Sequence, residues 1–163
     1  MKILSCFPGS GKSYLSAQHP EINDSDSSKF DKISFPGNYL QHIQEKFNAG
    51  EPTLVSTHLV VRDGLRAAGI PFTLIYPEVQ CKAEYRERYI NRLVEGGTVD
   101  RQTAEKSPFV HLLDAYWDQW IEECRQQLGC LHLRLYPGEY LSDAVRLEGT
   151  SFVAVNPIRI QQF

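Results

Sequence analysis

Apolar residues in this chain fall into two kinds of segment that alternate along its length. Runs that are apolar without a break, "KILSCF", "PTLVST", "PFTLIYP" and "CLHLRLYP", sit between turn-forming residues and read as buried strands. Between them lie segments whose apolar residues recur every three or four positions. In "PGNYLQHIQEKFNAG" these are Tyr39/Leu40, Ile43 and Phe47, with Gly50 as the stop. "LVVRDGLRAAG" ends at Gly69, and "CKAEYRERYINRLVEGG" puts Tyr85, Tyr89 and Leu93 on one stripe. "PFVHLLDAYWDQWIEECRQQLG" reads as a long amphipathic helix in which Trp117 and Trp120 are packing residues. A short helix follows the first strand and stops before Pro20, and "INDSDSS" is a brief extended segment ending in a polar loop. The tail "TSFVAVNPIRIQQF" adds one edge strand. Unbroken apolar strands alternating with helices predict a parallel sheet covered on both faces, an α/β three-layer sandwich.

Composition narrows the classes without changing this picture. A chain of 163 residues is expected to form one domain and to bury roughly two thirds of its unfolded surface. At 42% hydrophobic and 23% charged residues, disordered and fibrous readings are excluded. A net charge of −3 does not favour a general nucleic-acid binder, although nucleic acid stays possible as a substrate. No apolar run approaches the roughly 20 residues of a membrane span, and the first apolar stretch is too short for a signal peptide, so a cytoplasmic protein with no membrane partner is expected. Cys6, Cys81, Cys124 and Cys130 match neither zinc nor disulfide spacing; reduced, buried thiols are expected, and no structural metal.

The candidate chemistry starts at "CFPGSGKS", directly after the first strand. Gly11, Lys12 and Ser13 fit the end of the phosphate-loop pattern G-x-x-x-x-G-K-[ST], whose backbone amides surround phosphates. Lys12 would reach the β- and γ-phosphates of ATP, and the Ser13 hydroxyl would ligate Mg²⁺. ATP would thus be held by Pro8, Gly9, Ser10, Gly11, Lys12, Ser13 and Tyr14. Cys6 stands where the pattern has its first glycine, and the loop is expected to survive that change.

This stretch and the order of elements around it resemble the P-loop kinases of the nucleoside-monophosphate-kinase-like group, which includes adenylate, shikimate, gluconate and polynucleotide kinases. The resemblance covers most of the chain in element order, but it is residue-specific only at the loop and a few later positions. It implies a P-loop NTPase fold with a helical lid, at approximately residues 84–108. "DSD" looks like the triplet of shikimate kinase, which would make Asp24 the metal-side carboxylate and Asp26 the acceptor-side base; a solvated turn is the alternative. The lid segment would supply arginines to the transferred phosphoryl group, with Arg88 and Arg92, four apart on one helix face, ahead of Arg86 and Arg101. Ordinary surface pairing with Glu84, Glu87 and Glu95 is the competing account.

On the acceptor side, Arg62 is the expected phosphate anchor. His58 either contacts the acceptor or caps a helix, and Tyr39 either stacks on a base or belongs to the core. Gly138 and Tyr140 would neighbour the adenine ring. The expected function is an ATP- and Mg²⁺-dependent kinase acting on a nucleotide-like acceptor, foremost a nucleoside monophosphate. Two alternatives stay open: a kinase that phosphorylates a hydroxyl with Asp26 as base, and an NTPase or switch with no acceptor.

Overall fold

The computed structural model describes residues 1–97 and 99–163. Each unbroken apolar run forms a strand: β1 (Ile3–Cys6), β3 (Thr53–Ser56), β4 (Phe72–Pro77) and β5 (Leu131–Leu135). The polar "INDSDSS" segment yields only the two-residue β2 (Asn23–Asp24), which extends the sheet beside β3. With β8 (Gln161–Gln162) the sheet runs β2-β3-β1-β4-β5-β8, parallel throughout except for β8. The fold is thus α/β, with a mostly parallel central sheet flanked by helices.

The strands bury both faces, which is why they are apolar without a break. Against one face pack α2 (Gly37–Asn48), α3 (Leu59–Ala67) and α6 (Pro108–Arg125), joining Ile43, Leu65 and Trp117 to Ile3, Val55 and Leu74. The other face receives α1 (Lys12–Gln18) and α7 (Leu141–Ala144), which bring Leu15 and Leu141 onto Leu4, Leu54 and Ile75. Trp117 is fully buried, and its indole N–H donates to the Val79 carbonyl at 2.7 Å. Truncating such a side chain to alanine costs about 3–5 kcal/mol.

Between β4 and β5 the chain forms α4 (Lys82–Glu95), α5 (Arg101–Glu105) and then α6. Ile90, Ala104 and Val110 make a small separate core there, which holds the three helices together. The tail departs from the single edge strand expected. β6 (Val145–Glu148) and β7 (Ser151–Ala154) pair with each other as a hairpin outside the main sheet, and only β8 reaches its edge. Phe152 pins that hairpin by burying beside Val145 and Leu4. No helix among the described residues is long and apolar enough to cross a membrane.

β1 connects towards β2 and β4 towards β5, so adjacent strands send their chains in opposite directions. A crevice opens at the carboxyl ends of strands where this happens. The loop after β1 and the start of α4 therefore flank one opening.

Candidate functional site

The loop leaving β1 turns at two glycines, Gly9 (φ 83°) and Gly11 (φ 97°), both in the left-handed region that side chains disfavour. Space also requires them. A Cβ at Gly9 would lie 3.3 Å from the Tyr85 ring, and one at Gly11 would lie 3.2 Å from Tyr140. Cys6 needs no such freedom: it is the last residue of β1, fully buried, with φ outside that region, which is why cysteine serves there. Burial pushes its thiol up to about 12, so it is an inert packing group.

The loop amides of Gly9, Gly11, Lys12 and Ser13 have no acceptor among the described residues, whereas Ser10 N–H is used internally by Phe7. Successive amides left free in such a turn form a concavity for an anion. Lys12 adds charge beside them; its sole hydrogen bond among the described residues is a long one, 3.4 Å, to the Cys6 carbonyl. Ser13 Oγ donates to Asp24 Oδ2 at 2.9 Å, which joins the loop to β2. Asp24 Oδ1 is buried and unpartnered, an acceptor that suits a cation.

These groups open onto a cavity of about 1080 Å³. Lys12, Ser13, Asp24, Asp26, His58, Arg62, Arg88 and Arg92 all line it, so residues from four separate parts of the chain meet there. Pro8, Gly9, Gly11 and Tyr14 line it too, Tyr14 with much of its ring exposed. Pockets for a drug-sized ligand span roughly 300–1,000 Å³, so this cavity lies at the large end of that range.

Asp26 sits in a turn and on the cavity wall. Its Oδ1 accepts from Ser28 N–H at 2.9 Å, capping a one-turn helix at Ser27–Lys29, and that bond holds its carboxyl below the usual range. The second oxygen has no hydrogen bond and belongs to a residue on the cavity wall. His58 begins α3, and its Nε2 lies 3.2 Å from Ser27 Oγ. Desolvation, then Lys32 and Lys12, lower its pKa, so the ring is neutral at pH 7.

The arginines divide sharply. Arg62 is 2% exposed and has no carboxylate within ion-pair distance among the described residues. Its only hydrogen bond runs from Nη1 to the Glu123 carbonyl at 3.2 Å, and its Nε is buried and unpartnered. Arg88 instead is tied to Gly9 O (3.2 Å), Glu139 O (2.7 Å) and the Glu84 carboxylate, and it stacks 3.7 Å from the Tyr140 ring. Arg92, one turn further, reaches the cavity exposed, with no side-chain partner among the described residues. Arg86 pairs with Asp114 and Arg101 with Glu87 and Glu105, which brace α4 against its neighbours away from the cavity.

Several expected positions move. Tyr39 is not on the cavity wall: it is fully buried, its hydroxyl donating to Ser25 O (2.6 Å) and accepting from Ser56 N–H (3.1 Å). A side chain with both roles spent on the ends of β2 and β3 has nothing left for a base. Ser10 is off the cavity wall: its N–H donates to Phe7 O at 3.2 Å, its carbonyl accepts from Leu141 N–H at 2.8 Å, and its hydroxyl is buried with no partner among the described residues. Gly138 N–H donates to Glu84 at 2.9 Å and lies off the wall, while Tyr140 lies on it. Trp120, expected as packing, and Tyr89, read only as part of a helix stripe, line the cavity with Phe109 and Glu123, which sequence reasoning did not single out. The "DSS" and "FVH" segments carry no separate signal for this; only the meeting of α4 with α6 makes the wall.

No cluster of three or more His, Cys, Asp or Glu suited to a metal occurs among the described residues. A magnesium ion would therefore take Ser13 Oγ and Asp24 from the chain and its other ligands from phosphate and water, as that ion usually does. None of the family models, curated proteins or solved structures compared with the chain matches it.

Proposed function

We propose that the chain is a P-loop phosphotransferase, a kinase moving the γ-phosphoryl group of Mg·ATP to an anionic acceptor, foremost a nucleoside monophosphate. One observation carries the donor half: free loop amides, Lys12, and the Ser13–Asp24 pair with its orphaned oxygen converge on one cavity. Such transfer needs mainly positioning and charge stabilisation, and little covalent chemistry from the protein. Bound magnesium would neutralise charge on the β,γ-phosphate oxygens. Lys12 would do the same from the loop side, and Arg92 is the cation free to approach the transferring group.

Arg62 supports the acceptor half. A buried guanidinium without a carboxylate is expensive, costing several kcal/mol, unless an anion arrives to pair with it. A second reading has its own support, because Asp26 has one carboxylate oxygen unengaged and is ionised at neutral pH. It could take the proton of an acceptor hydroxyl, with Arg62 holding an anion elsewhere on the same molecule.

ADP release with Mg·ATP against nucleoside monophosphates, nucleosides, hydroxy acids and oligonucleotides tests both. Lys12→Ala should lose turnover by roughly 10³-fold or more in either case. Asp26→Asn should fall about 10²-fold if it is the base, and stay close to wild type if a phosphate is the acceptor. Wild-type protein without measurable affinity for Mg·ATP would end the kinase reading.

A further inference from the structure

The part of the cavity wall formed where α4 meets α6 is aromatic. Phe109 stacks on Tyr89 with centroids 4.2 Å apart, and Trp120 lies 6.0 Å from Phe109 and 6.4 Å from Phe7. Trp120 and Phe109 are only partly buried against the core and line the same cavity as Arg62. The two chemistries are adjacent: Arg62 bonds the Glu123 carbonyl, and Glu123 lies three residues after Trp120 on the same face of α6. A partly exposed aromatic face beside a buried, unpaired guanidinium is complementary to a flat ring joined to an anion.

We infer that this wall is the acceptor's ring subsite: the acceptor is a nucleoside monophosphate whose base stacks on Trp120 and whose phosphate pairs with Arg62. The inference rests on the kinase reading and narrows it, since a sugar phosphate or a hydroxy acid supplies the anion but no ring. The donor's adenine is the less suitable occupant of this wall. Arg62 ties it to an anion site distinct from the Lys12 loop.

Trp120 reports on its own occupancy. The chain has two tryptophans, and Trp117 is fully buried, so quenching by a stacked base should arise at Trp120. The test titrates intrinsic fluorescence with the four common ribonucleoside monophosphates, ribose 5-phosphate and Mg·ATP, on wild type and Trp120→Phe, with acceptor and ATP KM values for those proteins and Trp120→Ala. At least one monophosphate should quench saturably, ribose 5-phosphate should not, and Trp120→Phe should lose the quench. In Trp120→Ala the KM for that monophosphate should rise roughly tenfold while the KM for ATP stays within twofold. Ribose 5-phosphate phosphorylated as well as any monophosphate would overturn the inference. So would quenching that survives in Trp120→Phe, or quenching by Mg·ATP alone. Binding of Mg·ATP with no response to any monophosphate sinks the ring subsite and leaves the kinase reading standing. Quenching by a monophosphate with no binding of Mg·ATP does the reverse.

Discussion

Arg62 and Arg88 face the same cavity and are both almost buried, yet the chain treats them in opposite ways. The Arg88 side chain, 8% exposed, has an ion pair, two carbonyl acceptors and an aromatic ring beneath it. Arg62, 2% exposed, has one bond to a carbonyl, at the same 3.2 Å that Arg88 keeps to Gly9, and no carboxylate. Among the described residues Nε lacks a partner in both, so the contrast lies in the ion pair and the second carbonyl that Arg88 alone has. A cation satisfied by the protein is part of the frame. One left unsatisfied at the wall of a cavity is stabilised in full only when something else enters. On the proposed kinase reading, the difference would divide the site into a braced donor side, where Arg88 holds the glycine loop to α4 and to the segment before α7, and an acceptor side completed by its ligand.

Replacing Arg62 with methionine should produce the largest effect of the comparison. Two charge-assisted bonds to an anion contribute about 1.5–3 kcal/mol each, so kcat/KM for the acceptor should drop roughly 10²–10⁴-fold. Stability should not drop with it, because an apolar side chain of similar length relieves an uncompensated buried charge. Thermal unfolding should give a Tm equal to or above wild type. A Tm several degrees lower would show that the Glu123 carbonyl bond is structural and that Arg62 belongs with Arg88.

For Arg88→Met the expectation inverts. The change strands Glu84, whose other oxygen still accepts from Gly138 N–H, and removes the donors from Gly9 O and Glu139 O. Breaking a buried pair costs about 3–5 kcal/mol, and Glu84 is exposed enough to reduce this to about 2 kcal/mol. Tm should fall by about 4–8 °C in a chain of this size. The KM for ATP should rise more than the KM for the acceptor, since the loop at Gly9 loses its brace. Equal rises in both would break the division into two sides.

Sequence reasoning found these arginines without being able to tell them apart. Spacing four apart puts Arg88 and Arg92 on one helix face, but it says nothing of the Glu139 and Gly9 carbonyls that reach Arg88 from distant parts of the chain. The glycine loop was legible because its chemistry is local: strand, turn and lysine lie within a dozen residues. The strands were legible because burial on both faces leaves unbroken apolar runs. Aromatic residues were the hard case. Periodicity shows which face of a helix turns inward, but not whether that face meets packed side chains or an open cavity; hence Tyr39, open to either role, lies in the core, and Trp120, expected as packing, lines the cavity. The β6–β7 hairpin escaped because Arg146 and Glu148 alternate with Val145 and Leu147, leaving no continuous apolar run to read.

The smallest expected effect is the most specific to Arg62. His132 is fully buried between Tyr76 and Gln127, its Nε2 2.8 Å from the Gln127 carbonyl. Desolvation lowers its pKa, the bond to Gln127 opposes this, and the Arg62 charge lowers it further. A histidine with a folded pKa below its unfolded value, near 6.5, binds fewer protons when folded. Its contribution is therefore flat above about pH 6.5, and stability is lost as the pH falls below that. Removing the Arg62 charge lets the folded pKa recover part of the way, so the acid loss should be shallower in Arg62→Met than in wild type. Arg88 is not among the charges acting on His132, so Arg88→Met should keep the wild-type slope from a lower starting point. Urea midpoints at pH 5, 6, 7 and 8 for the three proteins measure this directly. Parallel curves for all three would mean that the Arg62 charge is already screened before any acceptor arrives, and the contrast between the two arginines would then be one of geometry alone.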